Sequence, residues 1–323
     1  MNILSLFDGI GGARLALEKN GVKINNYFSS EIDPFCNQVL NHHYDDIIHL
    51  GDIKNIKGSD LPEIDLLIGG SPCQDLSIAQ KGMGLEGKNS SLFYEFVRIL
   101  NEVNPKYFLL ENVRNNSGKL MSQLVGVDYV EINSRNFSAQ SRPRFYWTNI
   151  KVDYKELMEQ NNNSFIRDCL EEKDISDNFF LEQSKTDNIL KNIEINELHR
   201  TSIKKLFTIP KEIHNDNERQ RRVYDITGKS PTILARSDTT KILINNKIRK
   251  LTPLECERLQ NLPDNYTSMC SNTQRYKMIG NGFTVNVIAF ILKFIKEPPI
   301  KRNVFDLSSM SKETNVNQIE LKL

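Results

Sequence analysis

The chain has 323 residues, with 42 lysines and arginines against 41 aspartates and glutamates, so net charge alone does not indicate nucleic-acid binding. Five cysteines without a Cys-x-x-Cys pair argue against a disulfide framework and structural zinc, and predict a reducing cytosol. The histidines show no metal-ligand spacing, no signal peptide is expected, and no apolar run approaches the ~18 residues that span a bilayer.

The first predicted element is a strand that ends in a glycine turn. Residues 2–7 are mostly apolar, 8–12 read Asp-Gly-Ile-Gly-Gly, and 13–18 predict a helix. Such a turn lets a nucleoside-type ligand approach the backbone closely. Glu31 follows after about 20 residues, where an acid is placed to bind a ribose hydroxyl pair. The turn is not Gly-x-Gly-x-x-Gly and no Gly-Lys-Ser/Thr follows, which disfavours dinucleotides and triphosphates.

Strand and helix patterns alternate as far as residue 150. Helices are predicted at 33–44, with Asp33 as its cap, and at 91–103. Strands are predicted at 107–110, ending at Glu111, and at 145–150. This alternation is typical of an α/β fold with a doubly wound sheet. Four residues would then share one edge of the sheet: Glu31, Asp52, Cys73 and Glu111.

Residues 69–77, Gly-Gly-Ser-Pro-Cys-Gln-Asp-Leu-Ser, are the most informative stretch. The apolar run before them predicts a buried strand, so Cys73 lies in a turn at its carboxyl end, where open α/β sheets place active sites. Pro72 biases Ser71 toward an extended conformation and fixes the angle of the thiol. On Cys73 alone, a buried structural cysteine and a nucleophile both stay open. Residues 74–90, rich in glycine, predict a functional lid rather than an ordinary surface connection.

With these turns, the chain resembles a DNA (cytosine-5) methyltransferase from Asn2 to about Phe294. Motifs similar to those of the family stand in its order at 7–12, 71–74, 111–113, 140–144, 249–260 and 280–285. The nucleophile turn Ser-Pro-Cys is similar to that of the animal de novo cytosine methyltransferases. Gly282 and Phe283 depart from the family's commoner Gly-Asn-Ser-Val.

The resemblance implies the S-adenosylmethionine-dependent methyltransferase fold, with a mixed sheet, and S-adenosylmethionine as cofactor. Glu31 falls on the ribose-binding acid and Asp52 on the adenine-contacting acid. The implied cofactor residues are Phe7, Asp8, Gly9, Ile10, Gly11, Gly12, Glu31, Ile32, Asp52, Ile53, Gly70, Asn281 and Val285. No metal is implied.

The implied reaction is methyl transfer to carbon 5 of a flipped-out cytosine. Cys73 adds to carbon 6 and makes carbon 5 nucleophilic. Glu111 is expected to hydrogen-bond the base, the alternative being a capping carboxylate. Arg142 and Arg144 are expected to lower the thiol pKa and bind the base carbonyl, the alternative being a surface ion pair. Asn112 is expected to orient the nucleophile turn.

The predicted domains are 1–150 plus 249–296 for catalysis, 151–248 as a smaller, irregular target-recognition domain, and 297–323 as a peripheral or disordered tail. Residues 151–198 contain six basic and twelve acidic residues, whereas 199–250 contain thirteen and five. That asymmetry indicates a phosphate-binding face, the alternative being a solvated surface. The predicted DNA-binding residues are Gln74, Ser77, Ala79, Arg219, Arg221, Arg222, Thr232 and Ile233.

The predicted partners are double-stranded DNA and a cognate restriction endonuclease, without a membrane. A monomer is favoured, in the cytoplasm of a bacterial or phage-infected cell. One alternative is the transfer-RNA-methylating branch of the family, disfavoured because its Cys-Phe-Thr motif is absent from the recognition region. A silent DNA-binding regulator is disfavoured because Cys73 and Glu111 are both present. Methylation of adenine or an exocyclic amine would need an Asp/Ser-Pro-Pro-Tyr/Trp turn.

Overall fold

The computed structural model describes residues 1–71, 90–172, 175–193 and 202–303. Its larger sheet has the strand order β3-β2-β1-β4-β5-β7-β6. The first five strands run parallel, and β7 is antiparallel to β5 and β6. These strands are β1 (Asn2–Leu6), β2 (Asn26–Ser30), β3 (Ile47–His49), β4 (Leu66–Gly70), β5 (Tyr107–Val113), β6 (Tyr129–Asn133) and β7 (Pro143–Thr148). The predicted α/β fold with a doubly wound mixed sheet is confirmed.

Helices cover both faces of this sheet. The helices of the described ranges are α1 (Gly12–Lys19), α2 (Pro34–His43), α3 (Ser90–Val103), α4 (Gly118–Val125), α5 (Tyr154–Glu159), α6 (Gln183–Asn192), α7 (Glu218–Arg221), α8 (Pro253–Leu259), α9 (Asn272–Asn281) and α10 (Val285–Leu292). Helix α2 begins as predicted, because the Asp33 carboxylate accepts a hydrogen bond from Phe35 N and Pro34 takes the first position. None of the helices in these ranges is long and apolar enough to cross a membrane.

Two hydrophobic clusters lie on opposite faces of the sheet. Ile3 and Ile68 face one cluster, whereas their neighbours Leu4 and Leu67 face the other. Both faces of the central strands are buried, so the sequence there reads as continuous apolar runs rather than alternation. Helices α1 and α10 pack together on the first face, where Asn20 Nδ2 donates to Ala289 O at 2.8 Å.

Two predicted strands have different boundaries in the structure. Strand β5 continues beyond Leu110 to Val113, and β7 runs from Pro143 to Thr148 rather than from 145 to 150. The reason is cross-strand pairing, which places Glu111 opposite Tyr146 and Val113 opposite Arg144. The predicted catalytic carboxylate and arginine therefore lie inside paired strands, which hold them more firmly than strand ends would.

A second sheet lies in the region after Lys151, where the sequence indicated no regular structure. It has the order β11-β10-β9-β8, from β8 (Lys205–Thr208), β9 (Arg222–Asp225), β10 (Lys241–Ile244) and β11 (Lys247–Lys250). Its own small core includes Phe207, Val223 and Ile248. Each strand has only four residues and carries charged side chains, so the strand pattern is weak in the sequence.

The first residues of the predicted tail are attached to the larger sheet. Tyr107 OH donates to Glu297 O at 3.0 Å, Ile300 N to Asn149 O at 2.7 Å, and Asn303 N to Gly126 O at 3.0 Å. Ile300 is itself 50% exposed, so this segment is peripheral but ordered by hydrogen bonds as far as residue 303. Residues 304–323 lie outside the described part of the chain.

Candidate active site

The glycine turn after β1 is built from left-handed backbone conformations. Phe7, Gly9 and Gly11 have φ angles of 55°, 60° and 77°. A Cβ atom at Gly11 would lie 2.8 Å from Leu40 Cδ2, so only glycine fits there. Left-handed backbone is strained at a residue such as Phe7, and such strain is found most often at functional sites.

Asp8 lies beneath this turn and is only 4% exposed. Its carboxylate accepts hydrogen bonds from Ser5 Oγ at 2.6 Å, Tyr27 OH at 2.9 Å and Ser29 Oγ at 2.8 Å. Burial raises the pKa of Asp8 in spite of these hydrogen bonds. The carboxylate therefore supports the turn from inside.

Glu31 connects the end of β2 to the glycine turn. One carboxylate oxygen accepts from Gly9 N at 2.8 Å, and the other accepts from Ile32 N and Asp33 N, each at 2.8 Å. The next side chain, Ile32, is 71% exposed at the same rim. Lys277 Nζ lies 2.8 Å from Asp33 Oδ2 and joins α9 to this rim. The predicted ribose acid and its apolar neighbour thus lie side by side at the carboxyl ends of β1 and β2.

Asp52 and Ile53 follow β3 and form a short turn, which Asp52 caps and Ile53 attaches to the core. Asp52 Oδ1 accepts from Lys54 N at 3.0 Å and caps a short 3-10 turn. Ile53 is 3% exposed and its side chain packs in the core. Its predicted part in cofactor binding stays a prediction. Its carbonyl accepts from Arg98 Nη2 at 3.1 Å, which fixes the turn to α3.

Gly70 ends β4 in a narrow space between two side chains. A Cβ atom there would lie 2.9 Å from Phe283 Cε1 and 3.3 Å from Glu111 Oε2. A Cβ atom at Gly12 would lie 3.4 Å from Phe283 Cβ. The Phe283 side chain therefore lies between the two glycine turns. The sequence marked Phe283 only as a departure from the family, and its aromatic ring was the signal that could have placed it here.

The other predicted residues of that last motif lie elsewhere. Val285 is fully buried in the core, and its backbone N donates to Gln260 O at 3.0 Å. Asn281 is exposed at the end of α9. The first turn of α10 points the Val285 side chain into the core, and the predicted part of Val285 in cofactor binding stays a prediction.

Glu111 and Arg144 form an ion pair across β5 and β7. Arg144 Nε lies 3.0 Å from Glu111 Oε1, and each side chain is 12% exposed. Glu111 is also paired with Gly70 in β4, so its carboxylate faces the start of the nucleophile turn. Burial, together with the nearby Glu111 charge, raises the pKa of Tyr146 well above its ordinary value. This is a partly dry site in which charge–charge interactions are strong.

Asn112 holds the first residue of the nucleophile turn, as the sequence predicted. Its side chain is 1% exposed, and Nδ2 donates to Ser71 Oγ at 3.0 Å and to Ser71 O at 3.2 Å. The turn itself, with the predicted site residues Cys73, Gln74, Ser77 and Ala79 and the predicted lid, lies outside the described residues. Glu111 and Asn112 therefore flank the point at which this segment leaves β4.

Arg142 has surroundings unlike those of Arg144. It is 5% exposed, and its guanidinium donates to the carbonyl oxygens of Gly280, Gly282 and Ile233 at 3.0, 3.1 and 3.4 Å. These contacts join β7 to the segment that carries Phe283. Ile233 is 2% exposed, so this predicted DNA contact is a buried anchor instead.

Two glutamines that the sequence did not single out form a polar centre beside Arg142. Gln140 Nε2 donates to Gln260 Oε1 at 3.1 Å, and Thr284 Oγ1 donates to the same oxygen at 2.7 Å. Gln140 Oε1 accepts from Ile233 N at 3.0 Å. Both glutamines have zero exposure and lie inside motifs that carried the resemblance, the only signal that could have found them.

The three predicted DNA-binding arginines have three different environments. Arg221 donates to the backbone carbonyls of Ile209 and Asp216, so it holds the fold of its own loop. Arg222 pairs with Glu218 and lowers the pKa of that carboxyl to about 2. Arg219 is exposed, with Nη2 3.4 Å from Thr232 O.

Thr232 connects this region to the catalytic strands. Its Oγ1 donates to Ser141 O at 3.0 Å, two residues before Pro143 begins β7. Arg219 and Arg222 also line a small cleft with Thr232 and Tyr224. The structure thus brings Arg219 and Thr232 together, next to the strand that carries Arg144.

Comparisons with known proteins agree with this geometry. Residues 1–297 match the C-5 cytosine-specific DNA methylase family. The chain is similar to the type II methyltransferase M1.ScrFI of Lactococcus lactis subsp. cremoris, at 32% identity over 91% of this chain and 78% of the relative. It is also similar to M.HhaI of Haemophilus parahaemolyticus, at 29% identity over 90% of this chain and 93% of the relative.

Among solved structures, the S. pombe Dnmt2 methyltransferase covers 92% of this chain and 99% of its own, with a TM-score of 0.66. At 17% identity that likeness shows the fold alone. The family match over nearly the whole described chain carries more weight. The chain belongs to the C-5 cytosine-specific DNA methylase family and is a DNA (cytosine-5) methyltransferase.

Proposed function

We propose that this enzyme transfers a methyl group from S-adenosylmethionine to carbon 5 of a flipped-out cytosine in a specific duplex sequence, through a Cys73 adduct at carbon 6. The observation that carries this proposal is the Glu111–Arg144 pair, which faces the start of the nucleophile turn beside Gly70. The carboxyl group fits recognition of a base edge, and the arginine beside it fits negative charge that develops on the base.

The residues around the glycine turn fit S-adenosylmethionine. The Glu31 carboxylate stands directly after β2, about 20 residues beyond the glycine turn, where an acid binds ribose hydroxyls, and exposed Ile32 beside it offers an apolar face to an adenine. Phe283 closes the space between Gly12 and Gly70. When bound, the cofactor supplies an electrophilic sulfonium methyl group.

The chain's own residues prepare the base for that group. We infer that the Cys73 thiolate adds to carbon 6, and that Glu111, in its protonated form, donates its proton toward the ring nitrogen as negative charge develops. After methyl transfer a water removes the carbon-5 proton, and the returning carbon 5–carbon 6 double bond expels the Cys73 sulfur. Arg144 orients Glu111 and binds the base carbonyl. Asn112 holds Ser71, which fixes the turn that carries the thiol. Arg142 acts as a positioning residue, because it ties β7 to the backbone around Phe283.

The DNA is proposed to lie between the catalytic residues and the second sheet. The 151–248 region would read the target sequence, with Arg219 and Thr232 nearest to the catalytic strands. Gln74, Ser77 and Ala79 would contact DNA from the segment after the nucleophile. A cognate restriction endonuclease is a proposed partner, since M1.ScrFI and M.HhaI are type II methyltransferases. Bacterial DNA lies in the cytoplasm, which is the proposed location.

Sequencing tests the reaction and its target together. The chain and its Cys73→Ser variant are expressed in a bacterial host without cytosine methylation, and bisulfite sequencing of the host DNA maps 5-methylcytosine. We expect one sequence context to be methylated by the parent and none by the variant. Transfer of a labelled methyl group to total transfer RNA but not to DNA would instead support the RNA-methylating branch and would refute the proposed function.

A further inference from the structure

A buried lysine joins the second sheet to the catalytic residues. Lys229 is 5% exposed, although it lies in a turn of the region with the second sheet. Its Nζ donates to Ser138 O at 2.9 Å, to Asn162 O at 2.7 Å and to Asn162 Oδ1 at 3.1 Å. All three ammonium protons therefore have acceptors, and the acceptors come from two other segments of the chain.

The Ser138 loop and the residues that follow Lys229 both lead to functional parts of the molecule. Ser138 stands two residues before Gln140, in the loop that precedes β7 and Arg144. On the other side, Lys229 is followed by Ser230, whose N donates to Ala139 O at 2.8 Å, and shortly afterwards by Thr232. The ammonium group thus fixes the register between the loop before the catalytic strand and the Thr232 segment.

The charge of Lys229 has a high cost at this position. Among the described residues no carboxylate lies within ion-pair distance of Nζ, and its nearest charged or titratable surroundings are Asp168, Cys169 and Arg135. The ring of Phe165 lies 5.8 Å from Nζ. A buried charge without a close counter-ion destabilises the folded state, so the three hydrogen bonds must offset the desolvation of the ammonium group.

We propose that Lys229 is a positioning residue that sets the Thr232 segment against the catalytic strand and thereby determines how tightly the enzyme holds its target duplex. The proposal rests on the proposed function, since it takes the Thr232 segment to be part of the DNA-binding surface. It adds a residue that is too deeply buried to contact DNA itself.

The three hydrogen bonds of Lys229 depend on the protonation of its amino group. Desolvation lowers the pKa of Lys229 to about 8. Below that pH the ammonium group donates all three hydrogen bonds, and above it the neutral amine has only two protons for three acceptors. Affinity for DNA is therefore expected to be complete near pH 7 and to weaken toward pH 9, with no change of charge on the DNA phosphates in that range.

The test measures equilibrium binding of the duplex mapped by sequencing, with S-adenosylhomocysteine present and at constant ionic strength. All proteins carry Cys73→Ser, which removes the titration of that thiol. The variants are Lys229→Met and, as a matched control, Lys204→Met, which removes a neighbouring charge whose Nζ donates to Thr227 Oγ1. At pH 7, Lys229→Met should raise Kd about tenfold or more relative to the control.

The pH series distinguishes the proposed role from a purely structural role, which would leave Kd independent of pH in this range. From pH 7 to 9 the parent and Lys204→Met should both lose affinity toward the level of Lys229→Met, which should stay flat. Equal weakening by the two methionine variants at pH 7 would overturn the proposal, and so would a parent affinity that is constant from pH 7 to 9. The pH series on the parent protein does not depend on whether the Lys229→Met variant folds. A parent that binds no duplex at any pH would instead refute the proposed function.

Discussion

Glu111 and Arg144 stand on adjacent antiparallel strands, 3.0 Å apart between Oε1 and Nε, and each is nearly buried. We expect Glu111→Gln to lower kcat by about 10²–10⁴-fold, the range of general acid catalysis, with little change in the binding of duplex DNA. Single-turnover methylation measures this. Glu131→Gln, an exposed carboxylate on neighbouring β6, is the control. Full activity of Glu111→Gln would contradict the assigned role.

Cys73 is expected to be trapped on DNA that contains 5-fluorocytosine, because fluorine at carbon 5 cannot be eliminated after methyl transfer. The covalent complex should require S-adenosylmethionine, survive a denaturing gel and be absent in Cys73→Ser. Cys270→Ser is the matched control, since Cys270 is a partly exposed cysteine. An adduct of equal amount in Cys73→Ser would remove Cys73 from the mechanism.

Glu31 accepts three backbone hydrogen bonds and lies at the rim of the proposed cofactor site. Glu31→Gln should weaken S-adenosylhomocysteine binding by about 1.5–3 kcal/mol, because a charged acceptor for the ribose hydroxyls is lost. Calorimetry measures this, with Glu18→Gln on the far end of α1 as the control. Unchanged affinity in Glu31→Gln would exclude the ribose role.

Variants of Arg221 and Arg219, near the second sheet, should have different effects. Arg221→Ala should lower the free energy of unfolding by about 1–3 kcal/mol, because two backbone carbonyls lose their donor. Arg219→Ala should instead leave stability within about 0.5 kcal/mol and weaken DNA binding.

The salt dependence then tells what Arg219 contacts. If it contacts a phosphate, its alanine variant should bind all sequences more weakly and shallow the salt dependence by about one unit. If it reads a guanine edge, one position of the site should relax at a cost of about 1–3 kcal/mol. Wild-type affinity on target and scrambled duplexes at every salt concentration would show that Arg219 is only a solvated side chain.

Gly70→Ala probes the narrow space at the end of β4. The added methyl group would lie 2.9 Å from the Phe283 ring, so the ring must move. We expect loss of cofactor affinity, with partial recovery in the double variant Gly70→Ala/Phe283→Leu. Fluorescence or calorimetric titration of S-adenosylhomocysteine checks this. An unchanged affinity in Gly70→Ala would mean that Phe283 has no part in the cleft.

The sequence predicted the larger sheet well because its strands are buried on both faces and its turns are marked by glycine, proline and a capping aspartate. It also placed Glu31 at the end of its strand and Asn112 beside the start of the nucleophile turn, where the structure has them, and their functions stay predictions. The sequence did not give the direction in which a side chain points. Asp8 and Val285 belong to the expected motifs, yet both point inward.

Long-range contacts were also beyond the sequence. Nothing in the charge pattern separated Arg219 from Arg221, because the difference lies in whether backbone carbonyls five and 12 residues away accept the guanidinium. The short strands of the second sheet could not be predicted either, because a run of four mixed charged and apolar residues is compatible with a strand, a helix or a loop. Lys229 reads as one more surface lysine until its three acceptors are seen.

The packing of α1 against α10 has a consequence for the order of synthesis. The glycine turn leads directly into α1, and the inner face of that helix is covered by residues from the last tenth or so of the described chain. A ribosome-bound chain that lacks α10 leaves this face open to water. This face of α1 is therefore completed only once α10 has been made. We expect nascent chains that lack α10 to be unable to bind cofactor, so that a chain still short of that helix does not methylate DNA.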